Sequence, residues 1–366
     1  MFDDIDPTRR PLVLVWEVTQ ACGLACRHCR ANARPERHPD ELTTAEGKRL
    51  LEDAAEFGDN QLIVLSGGDP LVRDDLIELA AHGDDLGHRM TITPSGTRSL
   101  TPDLVCALEA AGICRMALSL DGSTRERHDD FRGEESFEDT MRAARAARDA
   151  GIPLQINTTV CADTVADLPA IRDHVRELGA VLWSVFFLVP VGRGRVLDPV
   201  SPERAEETMA WLHEVSEAEA FGVKTTEAPF YRRVGLQRAS AGETDSAAER
   251  RGGITAGRGF AFVSHTGEVY PSGFLPASAG NVRDRDLVDV YRNADLFESL
   301  RDPDAFAGKC GVCEFRQVCG GSRSRAYAAT GDPLESDPLC SYVPEEYDGP
   351  LPNRQTTTGE RSEPAE

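Results

Sequence analysis

Lysine is nearly absent. Of 40 basic residues only Lys48, Lys224 and Lys309 are lysines, and the rest are arginine. Basic charge as a whole is outnumbered by 62 acidic residues, which leaves a formal net charge of −22 and a pI of about 4.8. A field of that sign repels phosphate backbones and speaks against nucleic-acid partners. An acidic, lysine-poor chain also suits a high-salt cytoplasm, where a dense carboxylate surface keeps protein hydrated. An ordinary acidic bacterial protein is the alternative, and loss of structure at low salt separates the two. Long apolar runs are missing as well. The longest, Val181 to Val191, is broken by Ser184 and Pro190, well short of the ~18 residues of a membrane span. The first residues, Met1 to Asp6, carry three aspartates, where a secretory signal begins basic and turns apolar. These absences predict a cytoplasmic chain without a membrane partner.

What is present, in a chain of 366 residues with 40% hydrophobic composition, is enough to build about two domains. From residue 12 to 190 short Val/Ile/Leu runs alternate with amphipathic segments. Strands are predicted at Leu12–Glu17, Leu62–Ser66, Met90–Thr93, Arg115–Leu120, Leu154–Val160 and Leu182–Val189. Several lack polar alternation, as parallel strands covered on both faces do. Helices are predicted at Thr44–Phe57, Asp74–Leu86, Pro102–Ala111, Phe137–Ala150 and Val165–Leu178, with Thr43 and Thr101-Pro102 as starts and Gly112, Gly151 and Gly179 after ends. Six β–α units in succession predict an α/β fold with a partial (β/α)6 TIM-like barrel. A helix, Pro202–Ala218, a short strand, Val223–Thr226, and a hairpin around Thr266-Gly267 follow. The expected division is a barrel over 10–235, a linker over 236–256 rich in Ala, Gly, Ser, Glu and Arg, a small cysteine-rich domain over 257–345 and a disordered tail over 346–366.

Ten cysteines in a cytosolic chain point to metal ligands or catalytic thiols before disulfides. Cys106, Cys114 and Cys161 are scattered and are expected as small buried hydrophobes. Cys22, Cys26 and Cys29 sit together in the loop after the first strand, at the barrel end where active sites form. Three thiolates on one loop hold three corners of a 4Fe–4S cluster and leave the fourth iron open to a small molecule. A zinc site closed by His28 is the alternative, but adjacent His28 and Cys29 bend poorly onto one ion. The second strand ends in Ser66-Gly67-Gly68-Asp69-Pro70, whose glycines let backbone approach a ligand closely.

The CxxxCxxC loop followed by this glycine turn on the next strand resembles the radical S-adenosylmethionine (SAM) enzymes. The resemblance implies a SAM-binding 4Fe–4S cluster on Cys22, Cys26 and Cys29, with His28 near the SAM adenine. It implies that Gly67, Gly68 and Asp69 meet the methionine ammonium through backbone carbonyls; the family's usual Glu is here the shorter Asp69. Ser119, Asp121 and Asn157, at later strand ends, would approach SAM or substrate, or else be turn caps. Pro190-x-Gly192-Arg193-Gly194 resembles the family's sixth strand end.

Near the end stand Cys310, Cys313, Cys319 and Cys340. Four ligands close a metal site, and a zinc ribbon is one reading. The order C-x2-C-x5-C with a distant fourth cysteine resembles the SPASM extension of radical SAM enzymes, which implies a second, auxiliary 4Fe–4S cluster. Full SPASM domains carry two such clusters. Here the cysteines expected near Ser272 and just after Cys319 are missing, so one auxiliary cluster is expected. The stretch from Cys319 to Pro333 is similar to the subgroup of alternative haem-biosynthesis proteins and the mycofactocin and pyrroloquinoline quinone maturases. That implies a tetrapyrrole or peptide substrate, SAM cleavage to a 5'-deoxyadenosyl radical that abstracts hydrogen, and a reducing donor such as ferredoxin or flavodoxin. Arg323 and Arg325 would pair either with substrate carboxylates or with the domain's own. A non-catalytic iron–sulfur electron carrier and a zinc-binding interaction module are the competing classes; neither needs the glycine turn.

Overall fold

The structure is a computed structural model, which describes residues 5–242 and 253–352. Strands β1 (Val13–Thr19), β2 (Leu62–Gly67), β3 (Arg89–Ile92), β4 (Arg115–Ser119), β5 (Leu154–Val160), β6 (Leu182–Phe187) and β7 (Gly222–Thr226) pair in parallel, each beside the next. Between and after them run α1 (Thr44–Ala55), α2 (Leu76–Asp85), α3 (Pro102–Ala110), α4 (Arg125–Arg132), α5 (Ser136–Asp149), α6 (Leu168–Glu177), α7 (Pro202–Ala218) and α8 (Phe230–Ser240). The barrel is partial, as expected, and carries one strand more than six β–α units require.

Local chemistry fixes the helix starts. Thr43 accepts from the Glu46 N–H while Glu46 reaches back to the Thr43 N–H, closing a capping box on α1. Thr101 caps α3 with Pro102 in its first turn. Apolar strand residues such as Trp16, Ile63, Ile92, Leu118, Ile156 and Trp183 are fully buried against the surrounding helices. Burial of this shell against water is the main favourable contribution to the fold.

The C-terminal region is continuous with the barrel sheet. Strand β8 (Phe260–Val263) pairs in parallel with the outer side of β1, Val13 facing Phe260, and then turns antiparallel into β9 (Glu268–Tyr270) and β10 (Gly280–Asn281). The predicted hairpin thus lies beside the first barrel strand. Helices α9 (Leu287–Asn293), α10 (Asp295–Arg301), α11 (Gly308–Gly311) and α12 (Arg323–Thr330) follow. The stretch expected as a linker from 236 is helical through Ser240, because α8 buries Phe230, Val234 and the Arg233 guanidinium. Residues 243–252 of that stretch, and 353–366 of the expected tail, lie outside the described residues. Among the described residues no helix is long and apolar enough to cross a membrane.

One expectation about the isolated cysteines is corrected. Cys161 is buried, but Cys106 and Cys114 are exposed. The buried side of α3 carries Val105 and Leu108, which leaves Cys106 facing outward, and Cys114 lies in the turn before β4.

Candidate active site

The loop after β1 is held from three sides. Gln20 and Cys22 pair with Arg34 across the loop, Cys22 N–H donating to the Arg34 carbonyl at 2.8 Å. The glycine turn after β2 presses on it: a Cβ on Gly68 would stand 2.3 Å from the Ala21 carbonyl oxygen, and one on Gly67 2.4 Å from that of Thr19. Glycine is needed there because backbone meets backbone. After β6, Gly192 (φ +55°) leaves 2.5 Å between a would-be Cβ and the Cys29 carbonyl oxygen. Arg193 then clamps the loop, Nε donating to the Cys26 carbonyl and Nη1 to that of Ala33, both at 2.9 Å.

These elements surround a cavity of about 720 Å³. Cys22, Cys26, Cys29, His28, Gly67, Gly68, Ser119 and Asn157 all line it. Asp69 and Asp121 do not. The Asp69 carboxylate caps the turn after β2, accepting from the Leu71 N–H at 3.2 Å, and reaches the β3 loop through the Thr97 hydroxyl, also at 3.2 Å. Its short side chain keeps it inside this turn, where burial raises its pKa against those hydrogen bonds. Asp121 lies behind the wall, paired with Arg132 at 2.9 Å and accepting from the Thr159 N–H at 2.6 Å. Burial alone would raise its carboxyl, but the neighbouring His28 and Arg132 and the Thr159 N–H outweigh that and hold it below the ordinary range.

His28 stacks on Phe131, with centroids 4.7 Å apart and planes 11° from parallel. Burial pushes its pKa down to about 4, against the pull of Asp121, so the ring is neutral at pH 7. Its Nδ1 is buried without a partner. Burial also pushes the Cys22 and Cys26 thiols up, although Ser95, 3.3 Å from the Cys22 sulfur, offsets part of this. Such thiols stay protonated unless a metal holds them as thiolates. Arg132, buried beside them, is held in its charged form against desolvation by Asp121, with Cys26 and Cys22 adding to this as thiolates. Three donors on one loop beside a buried cation suit an iron–sulfur cluster with an open position.

The four C-terminal cysteines line a second, far smaller space together with Arg233, Lys309 and Tyr342. Desolvation drives the Cys313 thiol up to about 11 and raises Cys319 and Cys340 as well. Two cations stand ready to offset thiolate charge. Arg233 lies 3.9 Å from the Cys340 sulfur, and Lys309 donates to the Cys340 carbonyl. Among the described residues no three His, Cys, Asp or Glu side chains are arranged for a single metal ion; a four-iron cluster, unlike a single ion, spreads its thiolates over the corners of a cube.

The two arginines with alternative roles are committed internally. Arg325 meets both Asp337 oxygens at 3.0 Å and also donates to the Phe187, Leu188 and Glu227 carbonyls; Arg323 donates to the Pro333 and Glu335 carbonyls. Both are buried. The two stretches that lack the expected cysteines meet at one carboxylate. Ser272 and Ser322 both donate to the Glu227 carboxylate, joined by Ser324 at 2.9 Å. A carboxylate held by three hydroxyls thus joins the end of β7 to the C-terminal region.

A relative named "AdoMet-dependent heme synthase" from Methanosarcina barkeri is 42% identical over 92% of this chain and 98% of its own length. One of the same name from Nitratidesulfovibrio vulgaris is 39% identical over 93% and 95%. The radical SAM superfamily model matches residues 16–175. The chain belongs to the radical SAM superfamily. The crystal structure of Streptococcus suis SuiB bound to S-adenosylmethionine shares this radical SAM fold, with a TM-score of 0.71 over 91% of this chain and 78% of that one at 18% identity. A radical SAM enzyme cleaves SAM, and the two cysteine groups suit its iron–sulfur clusters.

Arg132 was not legible beforehand. It sits on α4, whose sequence Arg125-Glu-Arg-His-Asp-Asp-Phe-Arg132 is almost wholly polar. Its buried side is His128, Phe131 and Arg132. A search for apolar periodicity passes over such a helix. The only available signal was Thr124, which caps α4 through the Arg127 N–H.

Proposed function

We propose that this radical SAM enzyme acts on a tetrapyrrole and oxidatively decarboxylates its propionate side chains. The observation that carries this is the charge of the cavity. In a chain of net charge −22, the cavity wall holds, among the described residues, one acid, Glu227, against six bases. A wall of that sign favours a ligand bearing several carboxylates, and a volume of about 720 Å³ falls within the ~300–1,000 Å³ of ligand pockets. The printed names of the two heme synthase relatives support the same substrate class.

Cys22, Cys26 and Cys29 would hold a 4Fe–4S cluster, which when reduced would supply the electron for cleavage of SAM to methionine and the 5'-deoxyadenosyl radical. The chain's own residues bind and orient. Gly67 and Gly68 bring backbone to the cavity, neutral His28 on Phe131 offers a flat face, and the apolar wall from Phe186 to Val189 with Phe260 and Phe262 excludes water. Each propionate would lose one hydrogen atom to a 5'-deoxyadenosyl radical, giving 5'-deoxyadenosine, then release CO2, pass one electron to an acceptor such as the second cluster and become a vinyl group. Cys310, Cys313, Cys319 and Cys340 are the ligands proposed for a second 4Fe–4S cluster, and a ferredoxin or flavodoxin is the proposed reductant.

The test is anaerobic incubation of the reduced, cluster-loaded enzyme with SAM and iron coproporphyrin III. Vinyl-bearing product with matching 5'-deoxyadenosine is expected. Deoxyadenosine without any porphyrin product, even with the substrate in excess, overturns the tetrapyrrole reading.

A further inference from the structure

The cavity bases are not equivalent. Arg30 pairs with Glu17 at 2.9 Å, Arg132 with Asp121, and Arg193 and Arg323 with backbone carbonyls. Arg232 also has an interaction partner. Lys224 alone among these six, within the described residues, has neither a hydrogen bond nor an ion pair. It is one of three lysines in the chain. It stands on β7 in register with Ser184 of β6, which faces Asn157 of β5, which faces Ser119 of β4. All four line the cavity. The polar row across this wall therefore ends in an ammonium group.

Among the described residues no acid pairs with that charge. Glu227, the one acid among the described cavity residues, is occupied by the three serine hydroxyls. The charges bearing on Lys224 are those of Arg115 and Arg232, both of its own sign, and Arg115 has a buried Nε without a partner. Burial and these two neighbours hold the Lys224 ammonium below its ordinary range. A half-buried cation among cations is costly unless an anion joins it.

We infer that Lys224 is the anchor for a substrate carboxylate, received on the β6–β7 side of the cavity. This rests on the tetrapyrrole reading and sharpens it: one propionate would dock on Lys224 while another is presented to the SAM side. A bound carboxylate removes the like-charge strain around Lys224 and supplies the acceptor that its three N–H donors lack.

The experiment is anaerobic titration of cluster-loaded protein with iron coproporphyrin III, and separately with its tetramethyl ester, followed by absorbance. Lys224→Met keeps the aliphatic stem, Lys224→Gln keeps a polar end, and Lys224→Arg keeps the charge. Variants with wild-type iron and sulfide content are compared. The Kd for the tetra-acid is expected to rise about 10- to 100-fold in Lys224→Met and Lys224→Gln. In Lys224→Arg it should stay within about threefold, and the ester should bind all forms alike. Unchanged tetra-acid binding by Lys224→Met, or equal loss of acid and ester, overturns the inference while leaving the tetrapyrrole reading standing. Failure of the wild type to bind either porphyrin overturns that reading, and the inference falls with it.

Discussion

Replacing Arg325 with methionine separates its two possible roles. Arg325 is 3% and Asp337 0% exposed in their side chains, and the pair is contacted on both Asp337 oxygens at 3.0 Å. In Arg325→Met, Asp337 keeps the Ser322 and Leu339 N–H groups but loses its countercharge. The Phe187, Leu188 and Glu227 carbonyls lose a donor at the same time. Breaking a buried pair from one side costs about 3–5 kcal/mol. With an unfolding entropy of about 2 cal/mol/K per residue over 366 residues, the fall in Tm is roughly 4–7 °C. The double variant Arg325→Met/Asp337→Asn removes the stranded charge and should recover part of the loss, which differential scanning calorimetry on cluster-loaded protein would read. An unchanged Tm in Arg325→Met, accompanied by weaker porphyrin binding, would refute the internal role and return Arg325 to the substrate.

Arg132→Met strands Asp121 in the same way, and there the sign with pH can be stated. In the wild type the Asp121 pKa is held below its ordinary value, so its contribution is complete above the unfolded carboxyl pKa and is lost as pH falls through the folded one. In the variant the loss of Arg132 moves that pKa up, so the deficit is largest near pH 7 and narrows as pH falls into the ordinary carboxyl range; thermal unfolding of both forms across that range checks it. Quantifying iron, sulfide and zinc after anaerobic reconstitution should give about eight irons and eight sulfides per chain, falling by about half in Cys319→Ser; zinc at the C-terminal cysteines would contradict the second cluster. Glu227→Ala leaves Ser272, Ser322 and Ser324 without their shared acceptor and should cost about 2–4 kcal/mol, seen as a lower Tm. An unchanged Tm would mean that the three-serine hub does not hold β7 to the C-terminal region.

The cysteine loop and the glycine turn were legible because their chemistry is local: ligands on one loop and glycines on one turn leave a fixed spacing. The first six strands were legible from apolar runs, with boundaries close to those observed. What escaped was long-range or written in polar residues. α4 buries an arginine and a histidine, so no apolar stripe marks it. The Glu227 hub joins residues from β7, the segment after β9 and the start of α12, and no spacing connects them. The parallel pairing of β8 with β1 could not be inferred from a hairpin pattern, which fixes only the antiparallel neighbour. The fate of Arg323 and Arg325 depended on which acid folds against them, which a sequence leaves open.

The central claim is that the Cys22, Cys26 and Cys29 loop opens SAM to reductive cleavage. It is tested most directly by incubating anaerobic, cluster-loaded protein with SAM and dithionite and measuring 5'-deoxyadenosine by chromatography. The wild type should form it, and Cys26→Ser should form none above the protein-free control. A wild-type protein with full iron and sulfide content that yields no 5'-deoxyadenosine, or a Cys26→Ser protein that yields as much as the wild type, would contradict the account.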